Sequence, residues 1–247
     1  MVTPESPAVL ALAGGVGGAK LVLGLARCLP PGDLVICVNT GDDETFHGLH
    51  VSPDLDTMMY TLSGLSNQET GWGVAGDTFT ALEMLGKFGV DTWFNLGDRD
   101  FATHIRRSQL LAEGKTLSEV TSELNQSLGV FHSVVPMSND PVKTVLSTDE
   151  GELPMQRYFV GRRAEPKVFE VRYVGVENAT AAPGLLDSLA KCGMLVLCPS
   201  NPYLSLGPIL ALPGVRQLMR DFSGKRACVS PIVGGDAVKG PAGKIMA

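Results

Sequence analysis

Two aspartates stand two residues apart in the segment Ser52-Pro-Asp-Leu-Asp-Thr57, at the start of a predicted helix. Carboxylate oxygens are the ligands that Mg²⁺ prefers, and proteins often hold this cation jointly with the phosphates of a substrate. Asp54 and Asp56 are therefore a candidate magnesium site. The alternative is that Asp54 caps the helix and Asp56 interacts with its dipole, and the spacing alone slightly favours this structural role.

A glycine-rich segment, Gly14-Gly-Val-Gly-Gly18, lies just before Lys20. The dinucleotide fingerprint GxGxxG fails here because Lys20 occupies the third glycine position, and the P-loop pattern fails because Leu21 follows the lysine. Small residues and free N–H groups at a helix start still let an anion approach, and the lysine adds positive charge. The segment predicts a phosphate-bearing ligand, but neither a typical nicotinamide site nor a typical ATP site.

Charges of both signs occur in the segment Gly97-Asp-Arg-Asp100, and His104 follows shortly after it. At the carboxyl end of a strand, Arg99 could bind a phosphate through its planar guanidinium group. The alternatives are a surface loop of ion pairs for this segment and an ordinary helix-surface position for His104.

Five apolar runs predict buried strands, and each run ends in a polar or glycine-rich cluster. A strand, a helix and a second strand within the first 38 residues predict a parallel sheet with a right-handed crossover. Ligands bind outside the carboxyl ends of such strands, so we expect the clusters to form one crevice, although turns are rich in these residues anyway. The runs are residues 8–13, 34–38, 92–96, 194–198 and 226–230, and the clusters are residues 14–18, 39–43, 97–100, 200–201 and 234–236.

Helical periodicity and capping signals predict helices at residues 19–29, 54–65, 77–85 and 117–128. Asp77 is the predicted N-cap of the third helix. Thr116 and Glu119 predict a capping box for the fourth, and Gly129 predicts its end.

Shorter β-like pieces, such as residues 158–160 and 168–174, fall between the two parallel parts of the chain. We therefore predict a Rossmann-like core formed by residues 1–130 and 176–247, with an inserted subdomain at residues 131–175.

The composition excludes several classes of protein. The chain has 247 residues, 44% of them hydrophobic, with a net charge of −6, which excludes a disordered chain. No apolar run approaches the roughly 18 residues of a membrane span. The acidic pI of about 5.2 argues against nucleic acid or an anionic membrane as a partner. Five cysteines without a CxxC pair predict reduced thiols, no zinc site and a cytoplasmic location.

Together these motifs resemble the 2-phospho-L-lactate transferase (CofD/FbiA) family of coenzyme F-420 biosynthesis. They keep the order of the family over nearly the whole chain, and their combination is highly specific. The motifs are Gly14-Gly-Val-Gly-Gly-Ala-Lys20, Val38-Asn-Thr40, Ser52-Pro-Asp-Leu-Asp-Thr57, Asp77-Thr-Phe79, Leu96-Gly-Asp-Arg-Asp100, Ala102-Thr-His104, Pro136-Met-Ser-Asn-Asp-Pro-Val142, Pro199-Ser-Asn-Pro202 and Gly240-Pro-Ala-Gly-Lys244.

The resemblance implies an α/β fold, a modified Rossmann-like parallel sheet with helices on both faces, in a homodimeric, Mg²⁺-dependent enzyme. It implies a GDP-linked donor that carries 2-phospholactate or phosphoenolpyruvate. The phospho-acid moiety would pass to the ribityl hydroxyl of the deazaflavin Fo, with release of GMP. We expect neither a nucleic-acid partner nor a membrane partner. Family members usually continue for some tens of residues beyond residues 240–244, so we expect a C-terminal truncation after residue 247.

The resemblance also assigns roles to residues. Asp54 and Asp56 would hold Mg²⁺ against the diphosphate, with Asp56 also close to the acceptor hydroxyl. Asp98 and Arg99 would position the acceptor and the transferred phosphate, and with Asp56 they are the expected catalytic residues. Further residues expected to bind the nucleotide or the deazaflavin are Gly14, Gly15, Gly17, Gly18, Lys20, Asn39, Thr40, Asn95, Asp100, His104, Ser200 and Asn201.

The chain differs from the sequence pattern of the family at two places, and two other functions are alternatives to the transferase. The family often has a basic residue that contacts the deazaflavin where Asn95 stands. Residues 14–18 lack the Thr and Pro of archaeal relatives, which slightly favours the bacterial branch and enolpyruvate. One alternative function is that of a non-catalytic nucleotide-sugar sensor, because CofD-like regulatory proteins share the glycine loop and fold but differ at residues 52–57. A nicotinamide dehydrogenase is disfavoured by Lys20.

Overall fold

The computed structural model describes residues 6–238 and 240–246 of the chain. Its strands are β1 (Val9–Ala13), β2 (Leu34–Val38), β3 (Glu44–Phe46), β4 (Leu49–Val51), β5 (Ser133–Pro136), β6 (Lys143–Thr148), β7 (Gly151–Pro154), β8 (Val168–Val174), β9 (Met194–Leu197), β10 (Lys225–Cys228), β11 (Ile232–Val233) and β12 (Asp236–Ala237). Its α-helices are α1 (Gly15–Cys28), α2 (Pro53–Ser63), α3 (Thr80–Lys87), α4 (Asp98–Ala112), α5 (Leu117–Ser127), α6 (Leu185–Lys191), α7 (Leu206–Ala211), α8 (Val215–Asp221) and α9 (Ala242–Met246).

A five-stranded parallel sheet forms the centre of the fold, in the order β10-β9-β1-β2-β5. From β1 the chain proceeds through β2 to β5 on one side, and later through β9 to β10 on the other. The strand order therefore reverses between β1 and β9. Loops leave the carboxyl ends of these two strands in opposite directions, which opens a crevice at that point.

Helices cover both faces of this sheet, as predicted. On one face, Leu10 and Leu12 of β1 pack into a buried cluster that includes residues of α6, α7 and α8. On the other face, Val9 and Ala11 belong to a cluster with residues of α1 and α2. Side chains of a strand alternate between faces, so burial on both sides explains why β1 reads as a continuous apolar run.

A smaller antiparallel sheet, in the order β7-β6-β8, lies within the predicted insertion. Two details differ from the prediction. Strand β5 was counted in the insertion, but it pairs with β2 in the central sheet. Residues 158–160 lie in a π-helical turn, Arg157–Gly161, and not in a strand.

One of the predicted buried strands is absent, and another is present but not buried. Residues 92–96 form no strand, because Trp93 and Phe94 are held by ring contacts instead of a β-ladder; their ring centroids lie 5.5 Å and 4.1 Å from that of Phe46. Strand β10 exists, but Lys225 and Arg226 are exposed because it is an edge strand. The cluster at residues 97–100 therefore follows a loop.

Helix boundaries also differ near the glycine-rich segment. Helix α1 begins at Gly15, so most of the predicted loop at residues 14–18 is the first turn of a helix. The capping box of α5 is confirmed: the N–H of Thr116 donates to Oε2 of Glu119 at 2.8 Å, and Gly129 follows with a φ of 73°.

None of the described helices is long and apolar enough to cross a membrane. Ala247, after which a truncation is expected, lies outside the described residues.

Candidate functional site

Ser200 joins the two strands that flank the crevice. Its Oγ accepts a hydrogen bond from the N–H of Gly14 at 3.1 Å and donates one to the carbonyl oxygen of Gly14 at 2.7 Å. Gly14 follows β1, and Ser200 lies just beyond β9. The start of α1 and the loop after β9 are therefore fixed to each other at the reversal of strand order.

Three glycines at the start of α1 are required by packing within the protein. A Cβ atom on Gly17 would clash with the carbonyl oxygen of Pro199, and one on Gly18 would lie 2.7 Å from Oγ of Ser200. A Cβ atom on Gly14 would lie 2.5 Å from a carboxylate oxygen of Asp54. These glycines let the loop after β9 and the start of α2 pack against α1. Packing within the protein therefore explains why glycine stands at these positions, without the close approach of a ligand.

Asn39, directly after β2, bridges two buried carboxylates. Its Nδ2 donates to Oδ1 of Asp42 at 3.0 Å and to Oδ2 of Asp54 at 2.9 Å. Its Oδ1 accepts a hydrogen bond from the N–H of Gly41 at 2.8 Å. The backbone N–H of Gly15 also donates to Asp54, so the start of α1 shares this network.

Asp42, Asp43 and Asp54 form what we call the acidic cluster. Burial raises the pKa of Asp42 well above its usual range, and the charges of Asp54 and Asp43 raise it further. Burial also raises the pKa of Asp54 to about 7, against the hydrogen bonds from Asn39 and Gly15. The pKa of Asp43 is raised as well, because the effect of burial is larger than the opposing effect of the hydrogen bond and charge of His50.

The acidic cluster has the donor chemistry of a divalent-cation site. It offers several carboxylate oxygens, the ligands that Mg²⁺ prefers. Within the part of the chain that the structure describes, Oδ1 of Asp43 is buried and has no hydrogen-bond partner. A cation bound to Asp42 and Asp54, whose carboxylates Asn39 joins, would favour the ionised form of both.

Asp56 belongs to a second group of charges. Residues two apart on a helix do not face each other, and accordingly Asp56 has partners different from those of Asp54. Both of its carboxylate oxygens accept hydrogen bonds from Arg107, with Oδ2 lying 3.1 Å from Nη1. His104 and Asp100 lie beside this pair. Ligand atoms of Asp56, Asp100 and His104 approach within 4.8 Å of one another, but the guanidinium group already occupies the carboxylate of Asp56.

Asp98 and Asp77 exchange helix caps. The carboxylate of Asp98, at the start of α4, accepts hydrogen bonds from the N–H groups of Thr80 and Ala81, at the start of α3. The carboxylate of Asp77, just before α3, accepts hydrogen bonds from the N–H groups of Arg99 and Asp100, in the first turn of α4. The prediction that Asp77 caps its own helix is therefore wrong.

The exchange of caps also explains the lowered pKa of Asp98 and the need for glycine at position 97. Hydrogen bonds from Thr78 and from the backbone of Ala81 lower the pKa of Asp98. A Cβ atom on Gly97 would clash with the carboxylate of Asp77, so glycine is required there. The side chain of Arg99 is exposed and donates to the carbonyl oxygen of Ala75 at 3.1 Å.

The predicted site residues other than Asp98 and Arg99, which belong to the cap exchange, fall into three sets. One set meets at the reversal of strand order, and a second surrounds Arg107. The third set is peripheral: Lys20 and Asn95 are exposed, and Oδ1 of Asn201 accepts hydrogen bonds from the backbone of its own loop. The first set is Gly14, Gly15, Gly17, Gly18, Asn39, Thr40, Asp54 and Ser200, and the second is Asp56, Asp100 and His104.

Four residues of these networks are not among the predicted site residues. Asp42 and Asp43 lie in the cluster at residues 39–43, shortly after β2, so their position near a strand end was an available signal. Arg107 extends the positive charge that follows residues 97–100, but neither it nor Gln156 carried a signal of the partner it has in the fold. Nε2 of Gln156 lies 3.2 Å from Oδ2 of Asp42, although 114 residues separate the two in sequence.

Comparisons with known proteins agree with the fold and with the motifs. The sequence model of the family described as 2-phospho-L-lactate transferase CofD matches residues 9–247. A 2-phospho-L-lactate transferase from Methanosarcina mazei is 40% identical over 238 residues, which is 96% of this chain and 78% of the relative. A phosphoenolpyruvate transferase from Streptomyces griseus is 43% identical over 244 residues, which is 97% of this chain and 77% of the relative.

A crystal structure of a UPF0052-family protein from Bacillus halodurans superposes with a TM-score of 0.63 at 18% identity. The match covers 90% of this chain and 68% of that one. At this identity the similarity concerns the fold alone.

Proposed function

The chain belongs to the CofD family of 2-phospho-L-lactate and phosphoenolpyruvate transferases, and from this membership we propose that it transfers a phospho-acid from a GDP-linked donor to the deazaflavin Fo. The acid would be 2-phospholactate or phosphoenolpyruvate, and GMP would leave. This reaction would place the chain in coenzyme F-420 biosynthesis. The homodimer that the resemblance implies and the cytoplasmic location that the cysteines predict stay predictions.

The proposed reaction is a substitution at phosphorus. The ribityl hydroxyl oxygen forms a bond to the phosphorus that carries the acid, and the hydroxyl loses its proton. The bond from that phosphorus to the bridging oxygen of the diphosphate breaks, and GMP leaves with the bonding electrons. Such a step mainly requires alignment of the two substrates and neutralisation of negative charge.

The observation that carries the proposal is the acidic cluster beside the start of α1. The N-terminus of a helix favours phosphate, and Gly14 and Gly15 stand at that end of α1. Asp42 and Asp54 lie next to it, linked by Asn39. Substrate phosphates at the helix start and a cation on the carboxylates would therefore be neighbours.

The residues present fit the Mg²⁺ that the family implies. Asp42 and Asp54 would hold it together with the substrate phosphates, because their carboxylates offer oxygen ligands and Asn39 joins them. When bound, Mg²⁺ would neutralise charge on the diphosphate. Asp56 lies near enough to raise the pKa of Asp42, and we propose that its carboxylate faces the acceptor hydroxyl.

The direct test is an assay of the full chain with Fo, Mg²⁺ and each of the two GDP-linked phospho-acids. We expect GMP and a phosphorylated deazaflavin, identified by liquid chromatography and mass spectrometry. A folded sample that forms neither product with either donor would overturn the proposal. Binding of guanine nucleotide without turnover would favour the non-catalytic sensor.

Asp54→Asn is a variant that separates function from folding. The amide removes a buried charge but keeps only one oxygen for the two hydrogen bonds that Asp54 accepts, from Gly15 and from Asn39. We expect turnover to fall about 100-fold or more, while the free energy of unfolding changes by less than about 2 kcal/mol because these two effects oppose each other. The matched control is the exposed Asp33→Asn, which should leave both quantities unchanged. Full Mg²⁺-dependent activity in Asp54→Asn would contradict the assigned role.

A further inference from the structure

We propose that Arg107 is a positioning residue for the transfer: it fixes the carboxylate of Asp56 in the orientation that the reaction uses. This inference rests on the proposed function, because that function gives Asp56 its task at the acceptor hydroxyl. It concerns a residue of α4 that carries no sequence motif and acts on a residue of α2.

The contact between Arg107 and Asp56 is a buried, two-point pair. Nη1 and Nη2 of the guanidinium group bind the two carboxylate oxygens separately, which fixes both the distance and the plane of the carboxylate. The exposed fractions of the two side chains are 2% and 6%. Among residues 6–238 and 240–246, Arg107 is the one buried Arg or Lys.

His104 holds the other side of the guanidinium group. Its Nδ1 lies 3.2 Å from Nη1 of Arg107. A guanidinium group has no lone pair to accept with, so Nδ1 must be the acceptor and the ring proton must reside on Nε2. That Nε2 lies 3.3 Å from Oδ1 of Asp100, without the geometry of a hydrogen bond. His104 therefore lies between Arg107 and Asp100 and contacts both.

The polar contacts that start at Asp56 end at Tyr60, on the same helix α2. The hydroxyl group of Tyr60, on α2, lies 2.7 Å from Oδ1 of Asp100 and 2.7 Å from Oγ1 of Thr103. Contacts therefore run from Asp56 on α2 through Arg107, His104 and Asp100 on α4 back to α2. Rotation of the Asp56 carboxylate would break the two-point contact with Arg107 and leave a buried cation unpaired.

Stability alone does not explain this arrangement. Removing a charge pair from water costs free energy, and well-packed apolar residues often serve a fold as well or better. The pair is also specific in shape, because a lysine would keep the charge but could not bind both oxygens in one plane. A fixed carboxylate beside the acidic cluster is useful where an acceptor hydroxyl must be aligned to within a fraction of an ångström.

The test compares two lysine substitutions on adjacent residues. Arg107→Lys keeps the positive charge but cannot bind both carboxylate oxygens in one plane. We expect kcat to fall about 100-fold with KM for both substrates nearly unchanged. The control is Arg106→Lys, because Arg106 has a side chain that is 44% exposed and pairs with Glu123 at the surface. It should behave as the wild type. Wild-type kcat in Arg107→Lys would overturn the inference.

A double-variant cycle tests whether Arg107 acts through Asp56. In an Asp56→Asn background, adding Arg107→Lys should cost little further turnover, because the contact is already lost. Equal fold-losses in both backgrounds would contradict the inference. Should Asp56→Asn fail to fold, His104→Asn and His104→Leu replace it. Asparagine keeps an acceptor near the position of Nδ1 and should retain more turnover than leucine; equal turnover in the two variants would argue against the inference.

A crystal structure of Arg107→Lys gives a readout independent of catalysis. We expect the carboxylate of Asp56 to turn from its present orientation. An unchanged carboxylate would overturn the inference even if the transferase assay succeeds. Conversely, a wild-type chain without transferase activity would overturn the proposed function, while a displaced carboxylate would still establish the positioning contact.

Discussion

At the scale of single residues, the acidic cluster is a site where the fold accepts unfavourable charge. Asp42 and Asp54 are buried with carboxyl groups whose pKa values are raised, and in the described structure no lysine or arginine forms an ion pair with either. Natural proteins keep such groups where function requires them, and the loss of stability is made up elsewhere.

The raised pKa of Asp54 predicts how the stability of the metal-free protein depends on pH. The unfolded carboxyl titrates near its ordinary value of 3.8, and the folded one at about 7. Folding therefore takes up a proton between these values, and stability must fall as pH rises through this window, by on the order of 4 kcal/mol for this group. Urea unfolding between pH 4 and pH 8 with a chelator present measures it.

Two comparisons control that experiment. Excess Mg²⁺ should restore stability at pH 8, because a cation favours the ionised carboxylates of the folded state. Asp54→Asn should flatten the pH dependence, because the titrating group is gone. A pH profile that is identical in Asp54→Asn and in the wild type would contradict the assignment.

The sequence indicates which residues could form the candidate site, but not which side chains contact each other in the fold. Asp54 and Asp56 were visible as a pair, yet the helix turns them toward different partners. Arg107 lies 51 positions from Asp56, and nothing local in the sequence marks that contact. Long-range polar pairs depend on how helices pack, which single-sequence patterns do not encode.

At the scale of elements, the cap exchange between α3 and α4 gives Asp98 a structural role, and the catalytic role expected for it stays a prediction. Each carboxylate binds the free N–H groups of the other helix, where a negative charge also interacts favourably with the helix dipole. The two helix starts therefore stabilise each other.

Substitutions at Asp98 distinguish capping from catalysis. Asparagine caps helices about as well as aspartate, so Asp98→Asn should keep its Tm and most of its turnover. Asp98→Ala should lower the Tm and accelerate hydrogen exchange at the amides of Thr80 and Ala81. Loss of turnover in Asp98→Asn at unchanged Tm would support the catalytic role instead.

Elements with strong local signals were predictable from the sequence. Strands β1, β2 and β9 are continuous apolar runs because both faces of the sheet are covered, and α5 carries its own capping box. Residues 92–96 have the same apolar character, but there Trp93 and Phe94 are half-buried and pack against Phe46 without a neighbouring strand. Apolar runs indicate packing, and packing alone does not identify a strand.

At the scale of the whole molecule, the small antiparallel sheet is connected to the acidic cluster through Gln156. This residue follows β7, is buried, and reaches Asp42 in the crevice of the central sheet. The amide N–H of Thr144, on β6, donates to the carbonyl oxygen of Gly41 at 2.7 Å. The inserted region is thus part of the wall of the candidate site.

Gln156 substitutions test this connection. Gln156→Leu removes the donor to a buried carboxylate, and we expect a loss of about 2 kcal/mol in the free energy of unfolding. Gln156→Glu places a second negative charge beside Asp42 and should destabilise the fold more at pH 8 than at pH 5. Denaturant unfolding measures both variants, and the exposed Gln126→Leu is the control. Wild-type stability in both variants would contradict the connection.

The contact between Gly14 and Ser200 also has a consequence for biosynthesis. These residues are 186 positions apart, yet together they close the site. On the ribosome, β1, α1 and β2 can pack while the rest of the chain is still being translated. The crevice can close only after Ser200 has left the exit tunnel, so a nascent chain stalled before that point would present a folded half-sheet with no place to bind its substrates.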